Sequence, residues 1–199
     1  MSIDNDGEDY SDIINTYRVR GLKIRIINGK TNGGPGAARQ RILDTTQASH
    51  LMYLDADDML MPRAVEVLYE YTKAHDYDIL RSSFIRENKY IEDRFMSADE
   101  NLVTWMHGKI YKVSYLKEKN IHFLPELRTD EDAYFNAVAW NSTTKLGLMV
   151  EPTYIWRDNK SSITRKLDKK QYFINTHINY IHGQVEALKY LFEINDSVP

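Results

Sequence analysis

The feature that most constrains this 199-residue chain is a repeated alternation, in its first half, of short apolar runs with turn-rich helix starts. Leu22-Lys23-Ile24-Arg25-Ile26-Ile27 has the side-chain alternation of a strand, and Asn28 to Gly36 supplies turn chemistry ahead of a helical run. Gly34-Pro35 suits the start of that helix, because proline at the first position gives up an amide that has no intrahelical partner anyway. Leu51 to Leu54 reads as a second strand, Pro62 opens a helix carrying Val65, Leu68, Tyr69 and Thr72 at helical spacing, and Asp78 to Ile85 reads as a third strand. This order predicts an α/β sheet with parallel members, whose ligands sit beyond the carboxyl ends of the strands.

Further on, Asp130 to Trp140 reads as a helix, and Leu146 to Trp156 as one or two strands interrupted by Pro152. Ile174, Ile178, Ile181, Val185, Leu188 and Phe192 then recur at steps of four, three, four, three and four. Such a stripe ordinarily packs onto the domain that carries it, and that is the expectation here. We divide the chain into an α/β domain over residues 1–165 and a C-terminal amphipathic helical extension over 166–199.

Charge and cysteine usage narrow the function classes. A net charge of −3 gives no general electrostatic reason to bind nucleic acid or an anionic membrane surface, so phosphate binding must be local or metal-assisted, and any membrane association is expected to be peripheral. The absence of cysteine excludes disulfides and thiolate metal sites. Met1 to Asp6 is acidic and lacks the basic-then-apolar layout of a secretory signal, and no apolar run approaches the ~18 residues of a membrane span. A cytoplasmic protein is expected.

The stretch "MYLDADDML" gathers the carboxylates of Asp55, Asp57 and Asp58 directly behind an apolar run. Carboxylates this close repel one another unless a cation or several donors compensate, and a hard divalent ion that takes one or two of them and fills its shell with diphosphate oxygens is an economical solution. The bland alternative is a solvated loop with aspartates capping the helix after Pro62, a role that suits Asp58 in particular. Three other places bear on the choice. "NGGPGAARQR" combines a small-residue turn, a helix N-terminus with free amides and the cations Arg39 and Arg41, all suited to an anionic ligand, yet matches neither the dinucleotide fingerprint nor the P-loop. "RTDEDAYFN" places three acids at a helix start, more than dipole compensation alone explains. "WMHGKIY" surrounds a glycine with Trp105, His107 and Lys109, which make either a sugar-stacking platform with donors or part of the core.

In this order, the segments "NGGPGAARQRILD", "YLDADDMLMP", "WMHGKIYKVSYLKEKNIHF", "RTDEDAYFN" and "YIWRDNKSSIT" resemble the family 2 glycosyltransferases of the GT-A fold. The resemblance implies a mixed, mostly parallel sheet flanked by helices and an enzyme moving a sugar from a nucleotide-diphosphate donor, a UDP-sugar in the first instance, to a hydroxyl of a glycan or glycoconjugate. Asp55-Ala56-Asp57 would be the DXD motif, with Asp57 the direct ligand of Mn2+ or Mg2+ and Asp55 nearer the ribose or the metal's waters. Glu131-Asp132 resembles the ED motif, with Asp132 as general base and inversion at the anomeric carbon. Arg39 would lie near the donor, Trp105, His107 and Lys109 would contact the acceptor or sugar, and Ser161-Ser162-Ile163 resembles a stretch closing the catalytic region. In the family a strand-helix unit of roughly thirty residues precedes the acidic turn that here stands at "IDNDGED". The usual first unit is therefore expected to be lacking, with Asp4 or Asp6 at the base-contacting position.

Two other readings are weighed beside this one. A shortened relative could bind glycans or act as a scaffold without turnover. The DxD after a strand also resembles the nucleophile motif of haloacid-dehalogenase phosphatases, although that motif stands near the domain start and is usually followed by Thr or Val, where this chain has Asp58-Met59.

Overall fold

The computed structural model describes residues 1–4, 7–87, 95–98, 103–159 and 169–196, with residues 95–98 and both ends of the last helix described by their backbone. The elements are β1 (Ser2–Ile3), α1 (Ser11–Val19), β2 (Ile27–Asn28), α2 (Gly34–Thr45), β3 (His50–Met52), β4 (Met59–Leu60), α3 (Ala64–Ala74) and β5 (Ile79–Glu87). They continue with β6 (Phe95–Ala98), β7 (Lys109–Lys112), α4 (Val113–Glu118), α5 (Glu131–Asn141), β8 (Leu146–Trp156) and α6 (Lys169–Asp196).

A six-stranded sheet runs β3-β7-β5-β8-β4, with β6 also pairing with β5. Within it β5 and β8 pair in parallel, while the β3–β7, β5–β7, β4–β8 and β5–β6 pairings are antiparallel. The sheet is thus mixed, but its neighbours are mostly antiparallel, contrary to the alternation of strands and helices early in the chain. The cause is β7, which arrives late in the sequence and inserts between β3 and β5; those two still run in the same direction because both oppose it. The carboxyl ends of β3 and β8 and the amino end of β7 consequently meet along one rim. That rim carries the site.

Several elements differ in extent from the sequence reading. Leu22 to Ile27 yields a strand only from Ile27, and β2 joins β1 in a separate parallel pair. Leu22 is exposed, so the alternation there has no buried face to satisfy. In α3, Leu68 and Ala64 face inward, whereas Val65 and Tyr69 face solvent. Leu146 to Trp156 forms one strand despite Pro152. The register against β5 slips on either side of Ser83, so the residue that lacks an amide proton sits at an irregularity rather than in a regular ladder. The slip brings Thr153 inward, where its hydroxyl lies 2.6 Å from Ser82 Oγ, and sets up Tyr154 and Trp156 beneath the rim.

The core lies between the sheet and α5. Phe123 and Phe135 stack at 4.2 Å, with Tyr53 meeting both rings edge-on and Tyr111 packed against Tyr53 and Phe135. The Tyr111 hydroxyl donates to Asn136 Oδ1 at 2.6 Å, which satisfies the polar end of a fully buried ring. Helix α6 packs on α5 through Gly183, Ala187 and Tyr190. Its stripe from Ile174 to Phe192, expected to face the core, is exposed. The reason is steric: the face that approaches α5 most closely needs small residues, and a Cβ on Gly183 would already lie 3.3 Å from Leu127 and Tyr134.

Candidate active site

A cleft of about 820 Å3 opens along the rim, between the turn after β3, the start of α5 and the end of β8. Its organising residue is Arg39, which α2 delivers from one turn beyond Pro35. Arg39 donates to Asp55 Oδ1 at 2.6 Å and to Glu131 Oε1 at 2.5 Å, so one guanidinium ties the acidic turn after β3 to the acidic start of α5. Burial disfavours its charge, but the carboxylates of Asp55 and Glu131 more than compensate and raise its pKa. The approach of α2 to α5 depends on Gly36, where a Cβ would come within 3.1 Å of Glu131 Cγ.

The acidic turn is held from below by β8. Tyr154 donates to Asp58 Oδ2 at 2.6 Å, and the amides of Arg157 and Asp55 donate to Asp58 Oδ1 and to the Tyr154 hydroxyl at 2.8 and 3.3 Å. Asp58 therefore anchors the turn and does not cap α3, whose N-terminus has Arg63 at the cap with no side-chain hydrogen bond. Burial pushes the Asp58 carboxyl up to about 6, against the hydrogen bonds from Tyr154 and Arg157. Asp57 is exposed at the cleft, with Asn159 Nδ2 donating to its Oδ2 at 3.0 Å.

On the other side, α5 begins with Glu131 and Asp132 after Asp130 in the left-handed conformation, φ 59°. Asp132 Oδ1 accepts from the amide of Ala133 at 2.9 Å, and Glu131 is held by Arg39. Burial raises the pKa of both carboxyls; Arg39 opposes this in each, while mutual repulsion within the acidic group adds to it. Asp130 Oδ2 and His107 Nδ1 are buried in the cleft wall without a hydrogen-bond partner among the described residues. Such orphaned atoms fit a cleft that receives a polar ligand.

An aromatic wall completes the cleft. His107 stacks on Trp156 at 5.3 Å and 26°, and Trp105 lies 5.3 Å from the same indole. Burial lowers the His107 pKa to about 4, so the imidazole is neutral at neutral pH. Opposite stand Arg128 and, from α6, Tyr180; Asn179 on α6 donates to Thr129 Oγ1 at 2.8 Å and ties that helix to the acidic start of α5.

Over residues 2–127 the sequence matches the family described as Glycosyl transferase family 2. The chain belongs to that family. Among curated relatives it is 23% identical over 182 residues to the uncharacterized glycosyltransferase EpsJ of Bacillus subtilis (strain 168), covering 80% of this chain and 53% of EpsJ. It is 25% identical over 172 residues to the poly(ribitol-phosphate) beta-glucosyltransferase of Bacillus spizizenii, covering 78% of this chain and 26% of that protein. The chain thus spans about half or less of the length of these relatives. Among solved structures, Staphylococcus aureus TarS 1–349 in complex with UDP-GlcNAc superimposes with a TM-score of 0.71 at 17% identity, covering 96% of this chain and 61% of that one. The fold is GT-A.

Within this family fold, the sequence-predicted residues Arg39, Asp55, Asp57, Trp105, His107, Glu131 and Asp132 all line one cleft. Lys109 does not. It is 1% exposed, and its ammonium donates to the carbonyl of Trp105 behind the aromatic wall, with burial lowering its pKa to about 7 against the pull of Asp132. The glycine before it explains the difference, because Gly108 at φ +63° turns the chain inward against the Ser82 carbonyl. Asp4 accepts from Arg41 and from the amide of Gly34, each at 2.6 Å, and so secures β1 to the start of α2. Burial works against the Asp4 charge, but Arg41 and the amides of Gly33 and Gly34 outweigh it and hold the carboxyl low. Asp6 and Ser161-Ser162-Ile163 lie outside the described residues. Tyr154, Trp156, Asn159 and Tyr180 were not singled out from the sequence. The signal for the first three was their place in "YIWRDN", within three residues of a strand end; Tyr180 gave none.

Proposed function

We propose that this chain carries a metal-dependent glycosyltransferase centre that moves a sugar from a uridine-diphosphate donor to a hydroxyl of a glycan or other cell-envelope polymer, with inversion. The observation that carries the reading is the Arg39 bridge. It sets a diphosphate-facing acidic turn and a deep carboxylate pair on opposite sides of one cleft.

In the reaction, Asp132 takes the proton of the acceptor hydroxyl as its oxygen bonds to the anomeric carbon and the bond from that carbon to the diphosphate breaks. Its raised pKa suits a base working near neutrality. Glu131 and Arg39 keep that carboxylate in place, and the walls of Trp105, His107 and Trp156 offer ring faces and a neutral imidazole to sugar hydroxyls. Attack from the side opposite the leaving group inverts the anomeric centre.

A divalent Mn2+ or Mg2+ fits the residues present. Among the described residues no three acidic or imidazole groups converge as a closed cage. Asp57 and Asp55 each have one oxygen engaged by a neighbour, which leaves the remaining oxygens for a hard cation whose other positions fall to diphosphate and water. When bound, the ion supplies charge neutralisation to the departing diphosphate. The donor class is supported by the UDP and UDP-GlcNAc complexes of TarS, and polyol-phosphate acceptors by the activities named for two relatives. No described helix is long and apolar enough to cross a membrane.

The test uses calorimetry with UDP and UDP-sugars in Mn2+, followed by turnover assays with polyol-phosphate and glycan acceptors. Asp132→Asn should bind donor as the parent does and transfer nothing. Absence of any donor binding by the parent chain would overturn the proposal.

A further inference from the structure

Helix α6 is apolar on two opposite faces, and only one of them is covered. Gly183, Ala187 and Tyr190 face α5 and the loop before it, with Ala187 buried at 2% exposure. Two residues along a helix turn about 200°, so the stripe of Ile174, Ile178, Ile181, Val185, Leu188 and Phe192 points away from the domain. Those six side chains are 42–66% exposed. A helix that is apolar all round is normally enclosed on both sides.

The spacing says what encloses it. Steps of four, three, four, three and four make a strict 3.5-residue repeat, the narrow seam of a helix pair, rather than the broader stripe by which a helix meets a mixed core. The series also reads the same backwards. We propose that this face is the seam of a twofold, antiparallel helix pair formed by two copies of the chain. In that register Ile174 faces Phe192, Ile178 faces Leu188 and Ile181 faces Val185 of the second copy, about a twofold axis level with Gly183. The largest side chain thus meets Ile174, and the smallest, Val185, meets Ile181. A parallel pair would set Phe192 against itself and Val185 against itself, overfilling one layer and underfilling another.

Charge agrees with this occupant. The positions flanking the seam are Asn175, His182 and Lys189 on one side and His177, Gln184 and Leu191 on the other. Lys189 comes opposite Asn175, so no pair of full like charges meets. A lipid surface fits worse, because from Phe173 to Ile194 the helix carries Glu186 and Glu193 against Lys189 and so lacks the basic rim that draws an anionic membrane.

Area sets the strength. A large apolar side chain offers about 60–120 Å2, so twelve of them roughly half available give on the order of 350–700 Å2 before flanking residues, below the ~1,000 Å2 of a firm interface. The expected species is therefore a reversible dimer that forms along about 42 Å of helix. Because Asn179 and Tyr180 lie on the same helix at the cleft, the pair would also brace the cleft wall.

The absence of cysteine makes the geometry directly readable. Sedimentation velocity over a wide concentration range should show a monomer–dimer equilibrium that Leu188→Glu abolishes while circular dichroism remains that of the parent. An equimolar mixture of the single variants Ile174→Cys and Phe192→Cys should oxidise to the mixed dimer, with little self-crosslinking of either alone. A chain that stays monomeric at every concentration overturns the proposal, as does a dimer indifferent to Leu188→Glu. Self-crosslinking of each variant in preference to the mixed species would show a parallel pair and equally defeat it. None of these readouts depends on glycosyl transfer.

Discussion

The two acidic clusters, Asp55 to Asp58 and Asp130 to Asp132, look alike as sequence and have opposite physical characters in the fold. The first lies on a turn whose outermost carboxylate, Asp57, is exposed, with its neighbours Asp55 and Asp58 tied to Arg39 and Tyr154. The second sits at the start of a helix whose inner face is core, so that Glu131 is 5% exposed and Asp132 rests against the amide of Ala133. Exposure leaves a carboxylate ionised and available to a cation, whereas burial raises its pKa and makes it a better proton acceptor near neutrality. The same residue type thus divides into a metal-and-diphosphate side and a base side according to what covers it.

The largest effect separating the two clusters should come from Asp132→Asn. Loss of a general base is expected to lower kcat by roughly 10²–10⁴-fold while the dissociation constant for UDP, measured by calorimetry, stays within experimental scatter of the parent. Equal losses of kcat and nucleotide affinity would mean that the clusters are not functionally distinct. Asp57→Ala should do the reverse, weakening Mn2+-dependent donor binding by more than the 10- to 100-fold typical of losing a group that merely supports a ligand. Asn159→Ala, which removes such a supporting donor, should fall within that range.

Arg39→Met tests the link between the clusters. With the guanidinium gone, Glu131 is left buried and unpaired, and the variant should lose about 3 kcal/mol of stability at neutral pH in urea unfolding. The sign with pH is defined. Arg39 opposes the upward shifts of Glu131 and Asp132, so its removal raises their folded-state pKa values further above those of the unfolded chain. Carboxyls raised by folding bind more protons in the folded state, and stability falls as pH rises through the window between the ordinary carboxylate range and neutrality. The deficit of Arg39→Met should therefore shrink at mildly acidic pH, and the acid limb of kcat/KM should move upward. A deficit independent of pH would refute this account.

The smallest expected change is Tyr154→Phe, which removes one hydrogen bond to Asp58 and one from the Asp55 amide. It should cost about 1 kcal/mol in thermal unfolding and raise the donor KM a few-fold, without altering the pH profile set by Asp132.

How much of this was legible beforehand depended on range. Glycine 34 with Pro35, the acidic run behind Leu54 and the acids opening α5 were readable because capping, turn chemistry and charge crowding act over a few residues. Ordered together, those motifs also carried the family resemblance, and the match over residues 2–127 agrees with it. The pairing of Arg39 with both clusters was not readable, since its partners lie 16 and 92 residues away. Lys109 shows the same limit, as a lysine within an aromatic stretch has no local signal that Gly108 will turn it inward.

Helix α6 marks the division most sharply. By itself the sequence determined that residues from Ile174 to Phe192 form a helix with an apolar stripe at a 3.5-residue repeat, because that periodicity is a property of neighbouring turns. Which face met the domain was decided only by the tertiary structure. Close packing against α5 favoured the small residues Gly183 and Ala187, and that choice turned the larger side chains of the stripe toward solvent.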